Sequence, residues 1–330
     1  MLKLFVILIA MSVSINALAL NCVVCRKQIR GKYLLVNDKA YCSQKCLDST
    51  IPVCAKCGKS LRKGYYKRGD QLYCADCISS TWPKCSGCGK ASKSGTVFRS
   101  TRDMFFCPEC SQLPKCFSCL VPAYRSKQLD DGRTICLECS KTSVHDMDEA
   151  EELFNTVRAT MARAFNLDTN HRIHLRMIDL PAMQRRSPGY AHGIELGLFV
   201  YDATIKTVIT NRLTLGGNKE EKTTYRENVS YTIFFLTETP RKKLIEVFAH
   251  ELGHDFLQEY YPGIKSLKVK EGFCELCAYL ANIEFGQPEM NTRIKHNPDP
   301  IYGGGFRMMY DLYQQDGLSM VRRFLRQNSN

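Results

Sequence analysis

The chain has 330 residues, 46 Lys plus Arg against 33 Asp plus Glu, a formal charge of +13, and 18 cysteines. An apolar fraction of 44% excludes wholesale disorder and a multi-span membrane protein, and the length suits roughly two domains. Sixteen cysteines lie between residues 22 and 139; residues 20–141 carry 22 Lys/Arg to 9 Asp/Glu, whereas residues 142–330 carry 23 to 24. The basicity belongs to the cysteine-rich half, so any acidic or nucleic-acid partner must bind there.

Residues 1–19 read as a secretory signal, with Lys3, an apolar run from Leu4 to Ile15, and Ala17-Leu18-Ala19 as the cleavage site. The apolar run falls short of the ~20 residues that a spanning helix needs. The expectation is a secreted or periplasmic protein with no membrane span after signal cleavage. The alternative is a membrane anchor formed by an uncleaved signal.

Next come four cysteine quartets: Cys22, Cys25, Cys42, Cys46; Cys54, Cys57, Cys74, Cys77; Cys85, Cys88, Cys107, Cys110; and Cys116, Cys119, Cys136, Cys139. Each has two close pairs, and the repeats begin at 22, 54, 85 and 116. A pair of such knuckles can place four thiolates around one structural zinc, whereas export would favour disulfides. Modules of about 30 residues cannot bury enough core to fold alone, and metal supplies the missing stability. The gaps read as short hairpins, for example Tyr66 through the turn Arg68-Gly69-Asp70 to Tyr73. An apolar residue precedes the third cysteine each time (Tyr41, Tyr73, Phe106, Ile135) and is expected to pack beneath the knuckle rather than stack on bases. CAKCGKSLRKGYYKRGDQLYCADC resembles the second half of a LIM domain, although here the linkers are longer and all sixteen ligands are cysteine. Four LIM-like ribbons are predicted, at about 22–46, 54–77, 85–110 and 116–139. A zinc with four thiolates carries −2, so four centres lower the array from +13 to about +5, which makes nucleic acid an unlikely partner.

From Asp146 the composition changes. Asp146-Met147-Asp148-Glu149 opens a predicted helix whose apolar stripe runs from Ala150 to Phe165. Ile173–Ile178, Gly197–Tyr201, Lys206–Leu213 and Ser230–Thr237 read as strands. Pro240 then begins a helix containing VFAHELGHDF. His250 and His254, four apart, project from one helical face toward a common metal, and Glu251 can reach a water on that metal as general base. Tyr231–Leu236, just upstream, is the candidate edge strand for pairing with extended substrate. Tyr260 excludes a third histidine at the metzincin spacing. A second amphipathic helix is predicted over residues 271–286, offering Glu271 and, one turn on, Glu275; either is a candidate third ligand, the other a partner for a histidine N–H. Tyr302 is the candidate donor to the oxyanion, with His296 and Arg307 behind it. Asp255 reads as a solvated residue, Cys274 and Cys277 as small core residues, and His171 with His174 not as a metal site.

The segments TETPRKKLIEVFAHELGHDFLQEYYPG, EGFCELCAYLA and PDPIYGGGFRMMYDLY resemble the plant organ-size-control peptidases that join LIM fingers to an HExxH domain, and their bacterial relatives. The resemblance implies an α+β, zincin-like peptidase domain at 142–330 after the ribbons at 20–141. It also implies five zinc ions, with His250, His254 and Glu271 holding the catalytic one. The plant members bind ubiquitin through a segment before the LIM region, which is not expected here. The sequence thus leads to an exported zinc endopeptidase acting on proteins or peptides, its ribbons holding substrate or a protein partner. The alternative is an interaction module with a degenerate peptidase domain.

Overall fold

A computed structural model describes residues 20–187, 194–214 and 217–329. The segment read as a signal, 1–19, lies outside the described residues. The chain forms two compact units, one running through Cys85 with Gly89–Gly95, the other comprising Ser86–Cys88 and the chain from Thr96 onward.

Each cysteine repeat folds as one hairpin and one short helix. The hairpins pair β1 (Leu34–Val36) with β2 (Lys39–Tyr41), β3 (Tyr66–Arg68) with β4 (Gln71–Tyr73), β5 (Thr96–Arg99) with β6 (Asp103–Phe106), and β7 (Ser126–Gln128) with β8 (Thr134–Cys136). They are followed by α1 (Gln44–Asp48), α2 (Ala75–Ser79), α3 (Pro108–Ser111) and α4 (Leu137–Ser140). The first knuckle of every repeat has the same turn: the first cysteine's carbonyl accepts from the residue after the second cysteine, namely Arg26, Gly58, Gly89 and Leu120. Tyr41, Phe106 and Ile135 are buried, as their place before the third cysteine predicts, and Tyr73 is partly so.

Beyond the ribbons the fold is mixed α+β. In α5 (Met147–Phe165), Ala150, Leu153, Phe154, Val157 and Met161 make the buried stripe. Asp146 is the N-cap without a side-chain bond, so Asp148 and Glu149 act on the helix start through its dipole instead. Asn166, at φ 51°, ends the helix in the left-handed conformation. Then follow β9 (Ile173–Ile178), α6 (Leu180–Arg186), β10 (Gly197–Thr214) and β11 (Gly217–Leu236), with sheet order β10-β11-β9. β11 pairs antiparallel with β10 and parallel with β9, so the predicted edge strand Tyr231–Leu236 is instead the central one. The edge strands are β10 and β9, and the two runs predicted separately at 197–201 and 206–213 form one strand, β10, folded back along β11.

The helices α7 (Arg241–Tyr260), α8 (Leu267–Glu284), α9 (Asn291–Lys295) and α10 (Tyr302–Asn328) complete the unit. Thirteen of the twenty residues of α7 are buried, so it is a central helix and each charge on it needs a partner. α8 begins four residues before its predicted start because Ser266 caps it, its hydroxyl accepting from the Val269 N–H. Phe248, Phe273, Leu244 and Leu276 are fully buried at the contact of α7, α8 and neighbouring elements.

Candidate metal centres and active site

In all four quartets the sulfurs lie within 4.8 Å of one another. Neighbouring sulfurs are 3.5 Å apart at Cys25–Cys42, 3.6 Å at Cys42–Cys46, 3.8 Å at Cys57–Cys74, and 3.9 Å at Cys88–Cys107 and Cys119–Cys136. A disulfide requires about 2.05 Å. A tetrahedron with Zn–S bonds of about 2.3 Å has edges of about 3.8 Å. The spacing therefore fits four-cysteine zinc and not a disulfide framework, and the ribbons are zinc-binding and LIM-like in character.

On α7 the i, i+4 pair brings the rings of His250 and His254 to 5.1 Å. Across from them, Glu271 Oε2 on α8 is 3.2 Å from His250 Nε2 and 3.6 Å from His254 Nε2. Nitrogen and oxygen donors at about 2.0–2.2 Å from one zinc are separated by about 3.3–3.6 Å, close to the two Glu271–histidine distances. Glu275 Oε1 meets the other nitrogen, Nδ1, of His250 at 3.5 Å. The two glutamates thus address opposite sides of one ring. Burial works against the His250 cation, yet Glu271, Glu251 and Glu275 around it raise its pKa to about 9. Burial would raise Glu271, but the two histidines hold it well below the usual carboxylate range.

Glu251 is buried, and desolvation pushes its carboxyl upward while the backbone N–H of Phe199 donates to it. β10 crosses so close that a Cβ on Gly197 would lie 2.6 Å from Glu251 Oε1. Only glycine permits that approach. Tyr302, at the start of α10, stacks on His250 with ring centroids 6.5 Å apart. His296 and Tyr302 both line an open cleft of about 1070 Å³ that also contains His250, His254, Glu251 and Glu271. Arg307 instead braces the approach to α10 by donating to the Asn297 carbonyl at 2.8 Å.

Several residues were not found from sequence. Asp255, expected in solvent, is 1% exposed; it accepts from the Thr169 hydroxyl and lies 2.7 Å from His171 Nδ1. The correction follows from the burial of α7, which turns Asp255 inward. Cys274, fully buried one turn after Glu271, has its sulfur within 4.8 Å of a ring nitrogen of each histidine. Among the described residues, Glu195 Oε2 and the Tyr201 hydroxyl are the buried side-chain polar atoms without a hydrogen-bond partner, and both residues line the cleft. Neither belongs to a motif.

These features describe a zinc-binding LIM-type protein with an acid–histidine cluster in its C-terminal half. No protein-family model matches the chain. It is 29% identical over 194 residues to LIM domain-containing protein HDR3 of Oryza sativa subsp. japonica, covering 53% of this chain and 38% of that protein. It is 24% identical over 258 residues to Protein DA1-related 2 of Arabidopsis thaliana, covering 61% and 48%, and 23% identical over 251 residues to Protein DA1 of the same plant, covering 61% and 47%. The likeness is thus to the plant LIM-domain DA1 proteins at low identity, and the chain spans less than half the length of these curated relatives.

The expectation of a secreted or periplasmic protein, with its membrane-anchored alternative, is corrected by these relatives, which are generally intracellular. That expectation rested on Lys3, the apolar run Leu4–Ile15 and Ala17-Leu18-Ala19, a short local pattern that is not specific to export. Among the described residues no helix is long and apolar enough to cross a membrane.

Proposed function

We propose that the chain is a zinc-dependent endopeptidase, a zincin-like domain at 142–330 preceded by four LIM-like ribbons at 20–141. Its catalytic zinc is held by His250, His254 and Glu271. Glu275 fixes the His250 ring through Nδ1. The observation that carries this reading is the convergence of both imidazole Nε2 atoms on one Glu271 oxygen beside a buried Glu251.

Zinc in that position supplies a polarised scissile carbonyl and a water of lowered pKa. Glu251 takes the proton of the attacking water and returns it to the leaving amine, and burial favours the protonated form it holds in between. The Phe199 N–H keeps the carboxylate oriented. Tyr302, beside His250, donates to the oxyanion. The free edge of β10 pairs with an extended protein or peptide substrate, and the ribbons hold substrate or a protein partner.

Cleavage of casein and of a peptide library by wild type and Glu251→Gln tests this. The expected result is cleavage by wild type and a loss of about 10²–10⁴-fold in the variant, with zinc content unchanged. Zinc-loaded wild type that cleaves nothing would leave an interaction module with a degenerate peptidase domain.

A further inference from the structure

The residue after the second cysteine of each first knuckle adopts the left-handed conformation: Arg26 at φ 60°, Gly58 at 70°, Gly89 at 75° and Leu120 at 61°. Two ribbons use glycine there, which carries no steric penalty. The first uses arginine and the fourth leucine, which both do. Backbone held in such a conformation against its side chain's preference tends to mark a functional position.

Leu120 opens onto the cleft that holds His250 and Glu251. Among the residues lining that cleft, Leu120 at 47% and Ile194 at 37% are the exposed large aliphatic side chains. The knuckle carrying Leu120 is fixed to the helices of the candidate site. Arg293 of α9 donates to the Ser118 carbonyl at 3.4 Å and to Glu246 Oε1 at 2.6 Å, and Glu246 lies one helical turn before His250 on α7. Leu196, beginning the approach to β10, packs against the core of the fourth ribbon and that of the C-terminal half alike. The unpaired Glu195 Oε2 and Tyr201 hydroxyl on the same cleft are polar atoms that a peptide's N–H and C=O groups would satisfy.

We propose that the fourth zinc ribbon is a wall of the substrate cleft and that Leu120 at its tip forms an apolar subsite, selecting peptides with a bulky aliphatic or aromatic side chain near the scissile bond. This rests on the peptidase reading. The ribbon is then a part of the specificity apparatus, not only an adaptor. The left-handed conformation belongs to the knuckle turn that all four ribbons share, and in the fourth it is the leucine that this turn presents to the cleft.

Leu120→Gly tests it in the full zinc-loaded chain, since glycine is what the second and third ribbons carry at this turn; a melting temperature no lower than that of wild type establishes that the ribbon is intact. Two readouts are taken. One is the cleavage profile of a peptide library. The other is binding of labelled peptides, Leu or Phe against Ala at each position, to the Glu251→Gln form with and without Leu120→Gly. At one position Leu and Phe should be preferred over Ala by at least about tenfold, and Leu120→Gly should reduce that ratio to about twofold or less. Cleavage in which the preference is absent, or survives Leu120→Gly, overturns the subsite and leaves the peptidase reading standing. Leu120-dependent binding without any cleavage does the reverse. Absence of both overturns both.

Discussion

Glu271 and Glu275 stand one turn apart on α8 yet meet His250 through different ring nitrogens, at Nε2 and Nδ1 respectively. That division assigns them unequal consequences. On the proposed ligand set Glu271→Gln removes a ligand, and zinc should be lost from the site on dialysis. Glu275→Gln leaves the ligand set whole but frees the ring, so zinc affinity should fall by about 10–100-fold in a competition titration with a chromophoric chelator. Equal losses from both variants would contradict the assignment. At this scale the sequence was informative where spacing implies direction: the i, i+4 histidines and the glutamate beside the first of them could be read without a structure. It misplaced Asp255 in solvent, because its partners Thr169 and His171 lie 86 and 84 residues away in the chain. Periodicity reports a helix's apolar face, and a helix buried nearly all round has no solvent face to reveal.

Between elements, the critical contact is that of α8 with α10. A Cβ at Gly272 would lie 2.4 Å from the carbonyl carbon of Gly305, and one at Gly305 would lie 2.4 Å from the carbonyl oxygen of Lys268. Gly272, directly after Glu271, and Gly305, three residues after Tyr302, thus let two backbones touch, and the contact brings Glu271 and Tyr302 to the cleft. Gly272→Ala forces the helices apart. The expected cost is about 1–3 kcal/mol by denaturant unfolding, with cleavage reduced on the order of 10²-fold through displacement of Glu271. Wild-type stability together with wild-type activity would refute this role. The hairpins, α5 and β9 were legible because turn residues and apolar period coincide in short local segments. The start of α8 was not, since Leu267–Lys270 alternates lysine with apolar residues and the deciding cap is Ser266. Nor was the edge strand, because which neighbour a strand takes depends on a pairing register that spans the long β10–β11 ribbon.

At the scale of the molecule, the fourth ribbon and the C-terminal half form part of one compact unit. Arg133 is the joint. Its guanidinium, 1% exposed, pairs with Asp131 at 2.7 Å, donates to the carbonyl and hydroxyl of Thr237, and lies 4.3 Å from the Phe117 ring centroid. Asp131 in turn accepts from the Leu180 N–H at 3.1 Å. Burial alone would raise the Asp131 pKa, but Arg133 and the backbone donors hold it below the ordinary carboxylate value. A lowered folded-state pKa adds stability that is complete above the unfolded value, about 3.9, and is lost as pH falls through the folded one. Asp131→Asn should cost about 3–5 kcal/mol near pH 7, lowering Tm by on the order of 10 °C, and the gap from wild type should close progressively below about pH 4. A gap unchanged at pH 3 would contradict an ionised joint.

In the proposed reading, peptide bonds are cleaved where one zinc is held by His250, His254 and Glu271. Cleavage rate as a function of zinc bound per chain tests it most directly, starting from protein whose weakest site has been emptied by a chelator. Four zinc ions should support no cleavage, the rate should rise in proportion to the fifth, and Glu271→Gln should show no recovery. Full cleavage with four zinc ions bound, or none with five, would contradict it.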